Sequence, residues 1–218
     1  SRSLQHEPKP GLVWLPDGTP LIHDPDDWTC RSAYEGTYER EILHLLDDLL
    51  DRGDSVVDVG ANVGIITAHA AQLVGPTGRV VAVEPSPRCL SDLELVSGEF
   101  PNVTIVAVAL GPSEGTVELT GWDNPDHRGL GTLVADHRAG LKENWHNGEA
   151  VAVPQIRLQD LIDNQLGTDG EVALLKVDVE GYEPAVLAGA PTLFSDRRVR
   201  SAILEVTPSV DSSWSGDL

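Results

Sequence analysis

The chain has no methionine, only two cysteines and two phenylalanines, and aromatic residues fill just 5% of its 218 positions. Because methionine is missing, the natural start is expected to lie outside this sequence. Cys30 and Cys89 stand in separate segments with neither a CxxC nor a metal-ligand spacing, and so imply neither a disulfide framework nor a thiolate metal centre. That usage suits a reducing, cytoplasmic location. No run approaches the ~18 apolar residues that span a bilayer, and the opening SRSLQHEPKPG lacks the apolar core of a signal peptide. No membrane partner is expected.

Basic residues are scarce as well, 15 against 35 acidic ones, for a formal charge of −20. Such a charge repels phosphate backbones and anionic surfaces, so no nucleic-acid partner is expected. The acidity aids solubility and is compatible with an enzyme acting on a small-molecule acceptor. The apolar content of 40% and the length suit one sizeable domain with a buried core.

Residues 1–37 read as an N-terminal extension, with a short hairpin in LVWLPDGTPLIH turning at Asp17-Gly18. The main domain then runs from 38 to 218. It opens on YEREILHLLDDLLDRGD, where Ile42, Leu43, Leu45, Leu46, Leu49 and Leu50 recur at helical spacing. Strand-like and helix-like segments alternate after it: SVVDVG, VGIITAHAAQLV, GRVVAVEP, SPRCLSDLELVSGEF and NVTIVAVAL, then VPQIRLQDLID, VALLKVDVEG, YEPAVLAGAPTLF and RSAILEVTP. Apolar runs without strict alternation are strands buried on both faces, and helices between them supply right-handed crossovers. The expected fold class is α/β, a doubly wound, Rossmann-like parallel sheet of five core strands. SEGTVELTGW reads as a further strand, and an irregular stretch of about 121–150 as a substrate lid or pocket wall.

Ligands of doubly wound sheets bind at the carboxyl ends of the strands, where strand order reverses. Asp58, Glu84, Asp178 and Glu205 all end apolar runs. Gly60 and Gly64, in VVDVGANVG, allow a sharp turn and close approach of a ligand. Their G-x-x-x-G spacing differs from the G-x-G-x-x-G of dinucleotide sites, which weakens a nicotinamide reading. Glu84, roughly 20 residues past Gly64, is placed to accept hydrogen bonds from both hydroxyls of a ribose. An adenosine ribose without a pyrophosphate describes S-adenosylmethionine.

DVGANVG, AVEPSP and LLKVDVEGYEPAVLAGA resemble the FkbM family of class I S-adenosylmethionine-dependent methyltransferases, over about Tyr38 to Pro208. The resemblance implies that Asp58, Gly60, Asn62 and Gly64 form the loop at the methionine end of the cofactor. It implies Glu84 as the ribose ligand, Pro85 and Ser86 beside the adenine, and Val108, Ala109 and Leu110 flanking it. Tyr38 and Glu39, in GTYERE, match the family's G-x-Y-E element and are expected to close over the cofactor. Members of the family continue past the fifth strand into an antiparallel pair, for which the tail from Pro208 to Leu218 is too short and too polar. The C-terminal pair is therefore expected to be absent or incomplete: either the sequence is truncated, or another element, the hairpin or a partner subunit of a homo-oligomer, covers the open edge.

Asp178 is a candidate cofactor contact, general base or metal ligand, and Glu205, on the neighbouring strand, can converge with it on one hydroxyl or one cation. Oxygen ligands alone would favour Mg²⁺. Glu183 fits a first helical turn, where acids suit the macrodipole, and Glu180 fits either a functional or a turn role. His127, His137 and His146 fall in the irregular stretch, and His127, among turn residues, is the preferred base. Trp122 and Trp145 bracket that stretch as pocket walls or as packing, and His69 is expected to be structural. Together these readings point to O-methylation of a hydroxyl on a small metabolite, such as a sugar or a polyketide-like compound. N-methylation of a small amine, a non-catalytic cofactor-binding module and a nicotinamide oxidoreductase are the alternatives.

Overall fold

The computed structural model describes residues 9–123, 126–134 and 150–206. Strands β1 (Gly11–Trp14) and β2 (Pro20–His23) form the expected antiparallel hairpin. Its turn is held by the Asp17 carboxylate, which accepts from the Thr19 N–H at 2.9 Å. Helix α1 (Trp28–Tyr34) follows, capped by Asp27, which accepts from the Cys30 N–H at 3.0 Å. Helix α2 (Arg40–Leu49) buries Leu46 and sets Ile42, Leu43 and Leu49 against the core, while Leu45 turns outward.

The central sheet is parallel throughout, in the order β10-β9-β3-β4-β5. It comprises β3 (Ser55–Val59), β4 (Arg79–Val83), β5 (Val103–Val106), β9 (Val172–Val177) and β10 (Val199–Leu204). Alternate residues of the valine-rich strands point to opposite faces. Val57, Val59, Val81, Val83, Leu175 and Val177 pack with α5 (Leu158–Leu166) and α6 (Glu183–Ala188). Val56, Val80 and Leu174 pack on the other face with α2 and α3 (Ile65–Val74). Helix α4 (Pro87–Ser97) completes that layer. The fold is the doubly wound, Rossmann-like α/β arrangement that the alternation predicts.

Two elements differ from expectation. NVTIVAVAL is not one strand, because the Val108 N–H donates to the Val106 carbonyl at 3.0 Å and this tight turn ends β5. Beyond it β6 (Ala109–Leu110) leaves the main sheet and joins β8 (Val151–Ile156), which also pairs with β7 (Gly115–Leu119), the strand expected in SEGTVELTGW. The hairpin does not cover the sheet edge. Ile22 packs with Cys30, Val63, Ala68 and Val96, so β2 sits against α3 and α4, and among the described residues β10 pairs with β9 alone. No described helix is long and apolar enough to cross a membrane.

Candidate active site

The strand order reverses between β3 and β9, and a cleft of about 280 Å³ opens at the carboxyl ends of these strands. Gly60 and Asn62 face it, whereas Asp58 and Gly64 shape the same loop from behind. Gly60 has φ +78°, and a Cβ there would strike the Asp178 carbonyl, so only glycine lets the loops after β3 and β9 meet. Gly64 has φ +89°, and its bare Cα lies against Leu93 and Val96 of α4. Asp58 is wholly buried and accepts from Thr67 Oγ1 at 2.6 Å, which fixes the first turn of α3.

Glu84, one residue past the end of β4, lines the cleft and accepts two backbone hydrogen bonds, from Asn62 at 2.9 Å and Ser86 at 2.8 Å. Burial pushes its carboxyl up to about 7 against the pull of these bonds. Ser86 caps α4 by accepting from the Cys89 N–H. Pro85, Ser86 and Ala109 lie in the lining with Val108 and Leu110, giving an apolar wall beside the Glu84 carboxylate.

The sequence reading passed over Lys176. It is the lone charge in β9 and only 3% exposed, with Nζ 2.9 Å from Asp178, 3.2 Å from the Gly60 carbonyl and 3.8 Å from Asp58. Burial works against its charge, but Asp178, Asp58 and Glu39 outweigh burial and raise its pKa. The signal was present in VALLKVDV, since a lysine inside a buried apolar run requires carboxylate partners. Glu39, in the left-handed conformation at φ +41°, is raised by burial and pulled back by Lys176. Its Oε2 is buried and has no hydrogen-bond partner among the described residues. Beside it, burial and the Glu39 charge hold the Tyr38 hydroxyl well above its ordinary pKa.

Asp178 and Glu205 meet at the ends of β9 and β10 and are hydrogen-bonded to each other. Burial raises Asp178, yet Lys176 and the bond to Glu205 bring it below its ordinary value. Burial and the bond to Asp178 push Glu205 up to about 8. The two carboxyls titrate as a coupled pair, Asp178 being the one shifted down and Glu205 the one shifted up. Glu180, with φ +55°, also lines the cleft, and burial followed by the charge of Asp178 lifts it to about 7. Glu183 serves the turn, its Oε1 accepting from Val179 at 2.9 Å and Gly181 at 3.2 Å.

Asp178, Glu183 and Glu205 each bring a carboxylate oxygen within 4.8 Å of the others. Asp178 Oδ2 is also engaged by Lys176, and Glu183 Oε1 by the Val179 and Gly181 N–H groups.

His127 lines the cleft away from this pair. Its ring stacks on Trp28 at 4.8 Å and 12°, the carboxylate whose charge reaches it is Asp27, and burial lowers its pKa. Trp122 packs with Ala109, Leu119 and Val153 in the small sheet. His69 lies 2.8 Å from Asp47 and ties α3 to α2. His137, Trp145 and His146 lie outside the described residues.

A family model described as the methyltransferase FkbM domain matches residues 58–215. A protein-L-isoaspartate O-methyltransferase of Triticum aestivum is 39% identical over 157 residues, covering 65% of this chain and 64% of that protein. Protein-L-isoaspartate O-methyltransferase 1 of Arabidopsis thaliana is 28% identical over 152 residues, with 65% and 64% covered. The chain thus spans just under two thirds of the length of these curated relatives. Among solved structures, Aeropyrum pernix fibrillarin in complex with natively bound S-adenosyl-L-methionine aligns with a TM-score of 0.39 at 18% identity, over 89% of this chain and 68% of that one. An S-adenosylmethionine-dependent O-methyltransferase of Thermotoga maritima aligns with a TM-score of 0.32 at 23% identity, over 45% and 40%. With residues 58–215 matched, the chain belongs to the FkbM family of class I S-adenosylmethionine-dependent methyltransferases.

Proposed function

We propose that this chain methylates a hydroxyl oxygen on a small, neutral acceptor, such as a sugar or a polyketide-like metabolite, using S-adenosylmethionine. The observation that carries the reading is the Asp178–Glu205 pair beside Lys176, facing the cleft at the switch point. The residues present fit the cofactor. Gly60 and Asn62 leave a backbone-lined surface for its amino-acid end, and Glu39 offers a buried, unpartnered oxygen to its ammonium. Glu84 offers a carboxylate to the ribose hydroxyls, and Pro85, Ser86, Val108, Ala109 and Leu110 form the wall for the adenine.

When bound, the cofactor supplies a methyl group already activated by its sulfonium. The protein's own task is then alignment and proton removal. Asp178 and Glu205 are hydrogen-bonded to each other, so together they can accept the proton of an acceptor hydroxyl in the cleft. Asp178, held below its ordinary value by Lys176, and the raised carboxyls of Glu39, Glu84, Glu180 and Glu205 gather around the cleft, where a cationic donor would draw them toward ionisation.

The names of the wheat and Arabidopsis relatives suggest a second reading, methylation of an isoaspartyl carboxylate in protein. A carboxylate acceptor would face five acids, Glu39, Glu84, Asp178, Glu180 and Glu205, and one arginine, Arg128, that is already ion-paired, so the local charge opposes it. The net charge of −20 opposes an RNA acceptor in the same way. Methyl-labelled cofactor should be offered with neutral polyols and phenols, an isoaspartyl peptide and RNA in parallel. Alkali-stable label on a hydroxylated compound is the expected result. Alkali-labile label on the peptide would replace this reading with the second.

A further inference from the structure

Residues 126–134 form a strap along the cleft, and one side chain fixes its near end. The Arg128 side chain is 11% exposed and reaches three acids from two separate segments: Nη1 lies 3.0 Å from Asp24 and 3.4 Å from Asp27, both between β2 and α1, and Nε lies 2.8 Å from Asp92 on α4. The backbone reinforces this. The Arg128 N–H donates to Asp27 Oδ2 at 2.9 Å, the Trp28 N–H donates to the Asp126 carbonyl at 2.9 Å, and the Cys89 thiol donates to the Arg128 carbonyl at 3.4 Å.

Asp27 is fully buried, and its other oxygen is committed to capping α1. Nη1 donates a hydrogen bond to Asp24, while Asp27 and Asp92 act on the guanidinium as close ion pairs, so the spread charge of an arginine reaches all three where the point charge of an ammonium would not. Arg88 adds a second positive charge near Asp24 and Asp92. On its cleft side the strap carries His127, stacked on Trp28, and Gly129, where a Cβ would sit only 3.0 Å from Asn62 Nδ2. Its far end is tied by Thr132 Oγ1, which donates to the Glu180 carbonyl at 2.9 Å.

We propose that Arg128 is a positioning residue whose three-carboxylate socket clamps the strap against Trp28 and Asn62, so that retention of the bound cofactor depends on the clamp. This rests on the methyltransferase reading. The strap touches the glycine loop at one end and the turn after β9 at the other, so freeing it loosens one whole wall of the cleft. Chemistry at Asp178 and Glu205 does not pass through Arg128. The clamp therefore acts on affinity and residence time.

Arg128→Lys and Asp92→Asn should each be compared with the unaltered chain by S-adenosylmethionine affinity and dissociation rate, by kcat at saturating cofactor, and by hydrogen exchange at the amides of residues 28 and 128. Arg128→Lys is expected to weaken binding about tenfold through faster dissociation, with kcat changed less than about twofold and faster exchange at both amides. Asp92→Asn should shift the same quantities by less, and it carries the test if Arg128→Lys does not fold. Lower melting temperature with unchanged affinity and exchange would overturn the clamp and leave Arg128 a structural ion pair. If the unaltered chain binds no S-adenosylmethionine, the methyltransferase reading fails. The claim about cofactor retention then falls with it, and exchange decides only whether Arg128 holds the strap: unchanged exchange in the variants would overturn that as well.

Discussion

At the residue scale, the coupled titration of Asp178 and Glu205 sets a pH dependence. Glu205 is held up at about 8 by burial and by its neighbour, so below that value the pair has only one negative charge and is the weaker base. The methyl-transfer rate is expected to climb with pH and level off above about 8. Glu205→Gln should flatten that climb and lower kcat by roughly 10²-fold, in the usual range for loss of a general base. A variant that kept the climb would assign it to another group. The strand-ending acids were legible because each closes an apolar run, and Glu84, Asp178 and Glu205 do line one cleft. That Lys176 needs carboxylate partners was legible in VALLKVDV, but which carboxylates surround it was not, because that depends on how the strands are paired. The same limit applies to Asp58 and Gly64, whose places behind the loop depend on α3 and α4.

At the element scale, Lys176 joins the loops after β3 and β9 through the Gly60 carbonyl, Asp58 and Asp178. Removing it leaves Asp58 wholly buried beside no positive charge. Lys176→Met is expected to lose about 3–5 kcal/mol of unfolding free energy, as for other buried pairs broken on one side. Adding Asp58→Asn should recover much of the loss, because the unpaired charge goes with it. Urea unfolding of the two variants measures this, and equal stability would contradict the assigned role. The alternation of strands and helices was readable because buried parallel strands and amphipathic helices leave distinct patterns. The break between β5 and β6 was not, since one backbone turn at Val106–Val108 divides an unbroken apolar run. The strap was equally hidden, for its ties join positions about a hundred residues apart.

At the scale of the whole molecule, carboxyls raised in the folded state, foremost the buried Glu84, tilt stability toward mildly acidic pH. Glu84 and Glu180 are raised from 4.5 to about 7 and Glu205 to about 8, so the folded chain binds more protons than the unfolded one between these values. Their contribution is whole below about pH 4.5 and is lost as pH rises through 7 to 8. For Glu84 alone this is on the order of 3 kcal/mol, taking about 1.4 kcal/mol per tenfold change in proton affinity. Asp24, Asp54 and Asp163 act in the opposite sense, adding stability above their ordinary 3.8 that disappears in stronger acid. His127, lowered by burial, offsets a little of the loss near its ordinary 6.5. The melting temperature is expected to peak near pH 5 and to fall by several degrees by pH 8.5. Added salt should recover part of the fall by screening the net charge of −20. A melting temperature that rose steadily from pH 5 to 8.5 would contradict the upward shift assigned to these carboxyls.

The central claim is that the cleft at the ends of β3, β4 and β9 holds S-adenosylmethionine, with Glu84 on the ribose. Calorimetric titration of the purified chain with S-adenosylmethionine, beside a nicotinamide dinucleotide and beside the Glu84→Gln variant, tests it most directly. The account predicts saturable binding of the methyl donor, none of the dinucleotide, and an affinity at least tenfold weaker in the variant, whose amide can keep only one of the two backbone hydrogen bonds that Glu84 accepts and whose folding is therefore measured beside its binding. Absence of binding to the parent chain, or equal affinity in parent and variant, would contradict it.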